Sequence, residues 1–113
     1  MQVLNDAGHP DGQSRLTAAG SDYGLYPAPA GVVKPAGQWN QVRLVVKGQH
    51  VEHWLNGKKI LKFERWNDEW KKLRDSGKWK DAPDYGLAAT GRIALQDHGS
   101  AFWFRDVKLR PLP

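Results

Sequence analysis

At 113 residues, 40% hydrophobic and 26% charged, the chain is the size of one small globular domain, enough for a single core. It contains no cysteine, which excludes a disulfide framework and a cysteine-zinc site, and no stretch long and apolar enough to span a membrane. The net charge of +5 brings nucleic acid into consideration. However, its densest basic run, Lys71, Lys72, Arg74, Lys78 and Lys80, is interleaved with Asp68, Glu69, Asp75 and Asp81, the pattern of a solvated helix face and not of a phosphate track.

Residues 1–4 are a short apolar start, read as a strand. Residues 5–22 are loop-like, because Asn5 to Gly12 holds almost nothing but turn formers. Residues 22–26, around Tyr23-Gly24-Leu25-Tyr26, form a second short strand, followed by a Pro/Ala/Gly connection to Gly37. The pattern then sharpens. Residues 39–47 alternate, with Val42, Leu44 and Val46 on one face, as in a half-buried strand. Gly48-Gln49 turns the chain, and residues 50–55 alternate again. Asn56-Gly57 is a strong hairpin signal, because both residues tolerate the positive φ of a type I′ turn. Residues 58–64 form the return strand.

The period changes at residues 67–76. Asn67 can cap a helix, Asp68 and Glu69 suit its first turn, and Trp66, Trp70 and Leu73 make one apolar stripe that ends at Gly77. Residues 78–87 form a loop with Pro83. Two more strands, residues 92–97 and 102–110, flank a turn at His98-Gly99-Ser100, and Pro111 stops the second. Strands, hairpins and one short surface helix without βαβ alternation make a mostly β, antiparallel domain.

Several segments carry a family pattern: residues 1–12; Gly37-Gln38-Trp39-Asn40-Gln41-Val42-Arg43; His53-Trp54-Leu55-Asn56-Gly57; and Gly91-Arg92-Ile93-Ala94-Leu95-Gln96-Asp97-His98-Gly99 followed by Trp103-Phe104-Arg105-Asp106-Val107-Lys108-Leu109. Together they resemble the 3-keto-disaccharide hydrolase family, along essentially the whole chain. The Leu-Gln-Asp-His-Gly segment with its Trp-Phe-Arg sequel is the specific part; the Trp-Leu-Asn-Gly hairpin occurs in many lectin-like sandwiches. The resemblance implies a concanavalin A-like lectin/glucanase jelly-roll sandwich, a carbohydrate ligand, and a periplasmic or secreted bacterial protein. It also implies that family strands upstream of residue 1 complete the sandwich. Residues 1–113 are then the C-terminal part of one domain, and either those strands or a second copy, in a homo-oligomer, is expected to cover its apolar face; the alternative is a compact seven-strand sandwich that closes alone.

A glycoside with a ketone at C3 has an acidified C2 proton. A base removes it, the group at C1 leaves by elimination, and water adds back. This chemistry needs a base, a leaving-group acid and a partner for the enolate oxygen. His98, His53 and His9 are the acid/base candidates. Arg105 is the charged candidate, since it shares parity with Val107 and Leu109 on what should be a core face. Gln96, Asp97, Trp54 and Trp103 are the substrate-binding candidates. His98, His53 and Arg105 are expected to approach one another at one cleft. His9 with Asp11, and Asp97 with His98, could ligate a divalent cation, but no spacing demands one. No carboxylate pair is placed as in ordinary glucanases. The rival readings are a non-catalytic carbohydrate-binding module and, more distantly, a basic β domain for an acidic polymer.

Overall fold

A computed structural model describes residues 1–113. Its centre is one antiparallel sheet of three strands in the order β1 (Val42–Lys47), β2 (His50–Leu55) and β3 (Lys58–Glu64), followed by one helix, α1 (Asp68–Ser76). Both hairpins form where the turn chemistry predicts them. Asn56 and Gly57 have φ of 51° and 81°, the doubly positive geometry of a type I′ turn. Asn56 also binds outward: its amide oxygen accepts from the Gln41 N–H, and its amide nitrogen donates to the Val32 carbonyl and to Asn40 Oδ1. Residues 39–41 are thereby drawn into a side-chain-capped entry, and β1 begins at Val42.

Register sets the faces. Val42, Leu44 and Val46 lie opposite Leu55, His53 and Val51, so these six residues share one side of the sheet. A slip between His53 and Trp54 leaves Ile60 as the extra residue of β3. The layer over this face is the N-terminal coil, which runs through two short 3-10 turns, Asp6–Gly8 and Pro10–Gln13. Its Leu4, Ala18, Ala19, Leu25 and Ala28 join Val51 and Leu55 in the core. The alanines are small because the backbone itself passes close to the sheet. At Gly20, with φ of +88°, a Cβ would stand 2.4 Å from Ile60 Cδ1, so only glycine fits. The Asp6 carboxylate fastens the coil by accepting from the Ala19 N–H and from Arg15.

Helix α1 forms as its sequence dictates. Asn67 Oδ1 accepts from the Trp70 N–H at 2.8 Å, and the Gly77 N–H closes the other end on the Leu73 carbonyl. Trp70 is 2% exposed and packs against Gly86, where a Cβ would meet its ring at 2.7 Å. Trp66 precedes the cap at φ of 67° and donates to the Gly86 carbonyl. Lys71 and Lys72 are exposed.

Four expected strands are not strands here. Residues 1–4 pair only at Gln2, which exchanges backbone hydrogen bonds with Gly20 and Ser21. Residues 22–26 close instead into a tight turn, with one bridge from Asp22 to Tyr26 and Gly24 at φ of 77°. Residues 92–97 dock through a side chain, because Gln96 bonds to Gln2 and Val3 in place of a backbone ladder. In residues 102–110 Asp106 takes φ of 53°, which breaks the alternation that put Arg105, Val107 and Leu109 on one face. This last segment has no partner strand, and Leu109 is 76% exposed.

Candidate active site

The N-terminal coil, the loop after α1 and residue 96 onward meet at an open cleft of about 370 Å³. Its walls are aromatic. Trp79 and Tyr85 stack with ring centroids 3.9 Å apart and planes 9° from parallel, and Tyr23 lies tilted against Trp79 at 6.3 Å. The stack is pinned by Trp79 Nε1, which donates to the Tyr23 carbonyl at 2.7 Å. That contact depends on Gly24, where a Cβ would sit 3.1 Å from the indole nitrogen. The Tyr23 hydroxyl donates to Asp11 Oδ2 at 2.9 Å, which ties this wall to the 3-10 turn that carries Asp11.

The remaining lining is polar: Asp22, Gln2, Gln96 and His98, with Met1 at one end. Burial raises the Asp22 carboxyl above its ordinary range, against the pull of the Met1 amino group. Burial, with the neighbouring Asp22, pushes the Tyr85 phenol up to about 12. Neither side chain is held by a hydrogen bond within the chain. Gln2 is only 4% exposed, and its Nε2 is buried without a partner. The Gln2 amide oxygen accepts from Gln96 Nε2 at 2.6 Å, while Gln96 Oε1 accepts from the Val3 N–H at 2.7 Å. This two-amide clasp delivers the C-terminal segment to the cleft.

Just beyond the clasp, the His98 and His9 rings meet edge to face with centroids 4.9 Å apart. His9 caps the second 3-10 turn, with Nδ1 accepting from the Asp11 N–H at 3.1 Å. In the neutral ring the proton therefore sits on Nε2. His98 thus lines the aromatic-walled cleft, and His9, from the opposite end of the sequence, stands behind it in ring contact.

The chain is similar to known proteins along nearly its whole length. A 3-keto-alpha-glucoside-1,2-lyase-like domain model matches residues 1–110. The chain belongs to this family. A 3-keto-disaccharide hydrolase of Bacteroides thetaiotaomicron is 31% identical over 124 aligned residues, covering 98% of this chain and 43% of that protein. A crystal structure from Parabacteroides distasonis, described as a candidate glycosyl hydrolase, is 40% identical with a TM-score of 0.63, covering 68% of this chain and 34% of that one. The chain therefore spans less than half the length of these two relatives.

The other sequence-derived residues of this family member lie elsewhere. His53 is 3% exposed. Its Nδ1–H donates to the Gly20 carbonyl at 2.8 Å and its ring meets Phe63 edge on. Burial pushes the imidazole down to about 4, against the pull of that carbonyl, so at neutral pH it is an uncharged clip between β2 and the coil. Arg105 stacks over Trp39 at 4.0 Å and does not line the cleft. His98, His53 and Arg105 thus do not share one cleft; the residue that joins His98 is His9. Asp97 Oδ1 accepts from the Gly99 N–H and caps the turn beside His98. Trp54 lies on the opposite face of the sheet from His53, under Arg43 at 4.0 Å. Its indole N–H donates to Glu52, a carboxyl held at about 2 by Lys59, Trp54 and His50. Trp103 is largely exposed in the C-terminal segment. No three histidine or acidic side chains converge to hold a metal ion.

The sequence reading missed Asp22, Tyr23, Trp79 and Tyr85. One signal was available: Trp79 and Tyr85 are large rings in a Pro/Asp/Gly loop with no period to bury them, and loops on a fixed scaffold carry function.

Proposed function

We propose that this chain carries part of the active site of an enzyme that cleaves 3-keto-glycosides by elimination and hydration. We read the three-stranded sheet as a portion of a lectin/glucanase-type sandwich, completed by other strands of the polypeptide or by a second copy. The observation that carries the functional reading is His98 in the lining of an aromatic-walled cleft, backed by the His9 ring, in a chain of this family.

The C3 carbonyl makes the C2 proton removable. The neutral His98 imidazole takes that proton, and the electron pair left on C2 forms the C1–C2 double bond as the C1–O bond breaks. The same ring then gives that proton to the departing oxygen, while His9, whose Nδ1 accepts from the Asp11 N–H, keeps its Nε2–H as a hydrogen-bond donor. Addition of water across C1 and C2 then restores the sugar, so the net change is hydrolysis. The reacting bonds are vicinal, so one ring can serve both.

Turnover of a 3-keto-glycoside by the complete protein tests this. His98→Ala should lower the rate by about a hundredfold or more if this ring moves a proton in the reaction. A loss of only a few-fold assigns His98 a structural role. The second reading, a carbohydrate-binding module, is favoured by the stacked rings of the cleft and would show binding without turnover.

A further inference from the structure

We propose that Asp22 and Tyr85 form a hydroxyl-binding subsite for a neutral pyranose ring, and that Asp22 makes this subsite reject sugars that place a carboxylate there. The inference rests on the carbohydrate reading of the cleft and narrows its substrate class.

The walls fit the apolar C–H face of a sugar ring, because Trp79 and Tyr85 are locked as one flat stack by the bond from Trp79 to the Tyr23 carbonyl. Beside that wall, Asp22 and Tyr85 line the cleft without a hydrogen bond from the chain, and Gln2 Nε2 is a buried donor without an acceptor. Partly buried polar groups left unpaired in this way call for a ligand. Their chemistry defines it: an ionised carboxylate only accepts, a phenol donates and accepts, and an amide nitrogen donates. Neighbouring sugar hydroxyls, each both donor and acceptor, satisfy the carboxylate and the phenol. A ligand carboxylate would instead meet the Asp22 charge in a partly desolvated cleft, where like charges repel strongly. Two cations are near: the Met1 amino group, which already faces Asp22, and Lys78, whose ammonium lies over the Tyr23 and Trp79 rings.

The test measures binding by calorimetry to the complete protein, with two probes: a methyl glucoside oxidised at C3 and the matching glucuronide oxidised at C3. Wild type should bind the neutral probe at least about tenfold more tightly, and Asp22→Asn, which keeps shape and removes charge, should bring the two within about threefold. Tyr85→Phe, which removes only the hydroxyl, should weaken the neutral probe by about fivefold or more; it provides the reading if Asp22→Asn fails to fold. Equal binding of both probes by wild type, or a preference that survives Asp22→Asn, overturns the subsite. Turnover of the neutral probe is measured separately. Turnover without preference removes the subsite and leaves the enzyme reading, while tight, selective binding without turnover does the reverse.

Discussion

Strands β1 and β2 present the same alternation to the same side of the sheet, yet they end differently. Val51 and Leu55 of β2 are buried, whereas their partners Val46 and Val42 on β1 are about half exposed. The difference lies in what stands above them: the coil of residues 1–30 covers β2 and β3, and nothing comparable covers β1. Alternation therefore marks which face is apolar, but coverage depends on chain far away in sequence. The cleft straddles this divide. Asp22 and Tyr23 belong to the covered half, and His98 reaches them from the uncovered segment through the Gln2–Gln96 clasp.

The largest effect should come from the covered side. Trp70 is fully enclosed between α1 and Gly86, so Trp70→Ala should destabilise the fold by about 3–5 kcal/mol, read from urea denaturation. A loss under about 1 kcal/mol would mean that α1 is not docked as described.

His53 sharpens the comparison through pH. It is uncharged in the fold, with a value near 4 against 6.5 ordinarily. Between those two values the unfolded chain binds a proton that the folded chain refuses. Stability should therefore fall as pH falls through this window, by on the order of 3 kcal/mol at its acid end. His53→Gln keeps a donor for the Gly20 carbonyl and does not titrate, so its stability should vary less between pH 4.5 and 7. Parallel pH curves for the two proteins would show that the imidazole is not buried.

Gln96 joins the two halves, and Gln96→Ala removes both bonds of the clasp. The expected cost is about 1–2 kcal/mol, together with loss of the His9–His98 ring contact in NMR. An unchanged contact would mean that something other than the clasp holds residue 98.

What could be read from the sequence follows the same divide. The Asn56-Gly57 hairpin, the Asn67 cap and the Trp70 stripe were legible because each rests on residues within a few positions of one another. The strands expected at residues 92–97 and 102–110 were not borne out, since a strand exists only beside a partner and these segments have none in the chain. The site was half legible. His98 and His9 stand out as histidines in turn-rich segments, but their contact, the burial of His53 and the Asp22–Tyr85 cleft depend on how the coil folds back, which no spacing encodes. Arg105 was placed in a cleft by parity, and the positive φ at Asp106 cancels that parity.

The smallest effect on stability should come from β1. Leu44 is 51% exposed, so replacing it with serine removes little buried apolar area. Leu44→Ser should change monomer stability by no more than about 0.5 kcal/mol, in contrast to Trp70. Its effect should appear in association instead. Val42, Leu44 and Val46 form an apolar row beside the unpaired edge of β1, and such an edge invites another strand. Light scattering after gel filtration should show an apparent mass that rises with concentration in wild type and less so in Leu44→Ser. Wild type that stays monomeric at micromolar concentration and unfolds in one cooperative step would remove the reading that this face is completed by other strands.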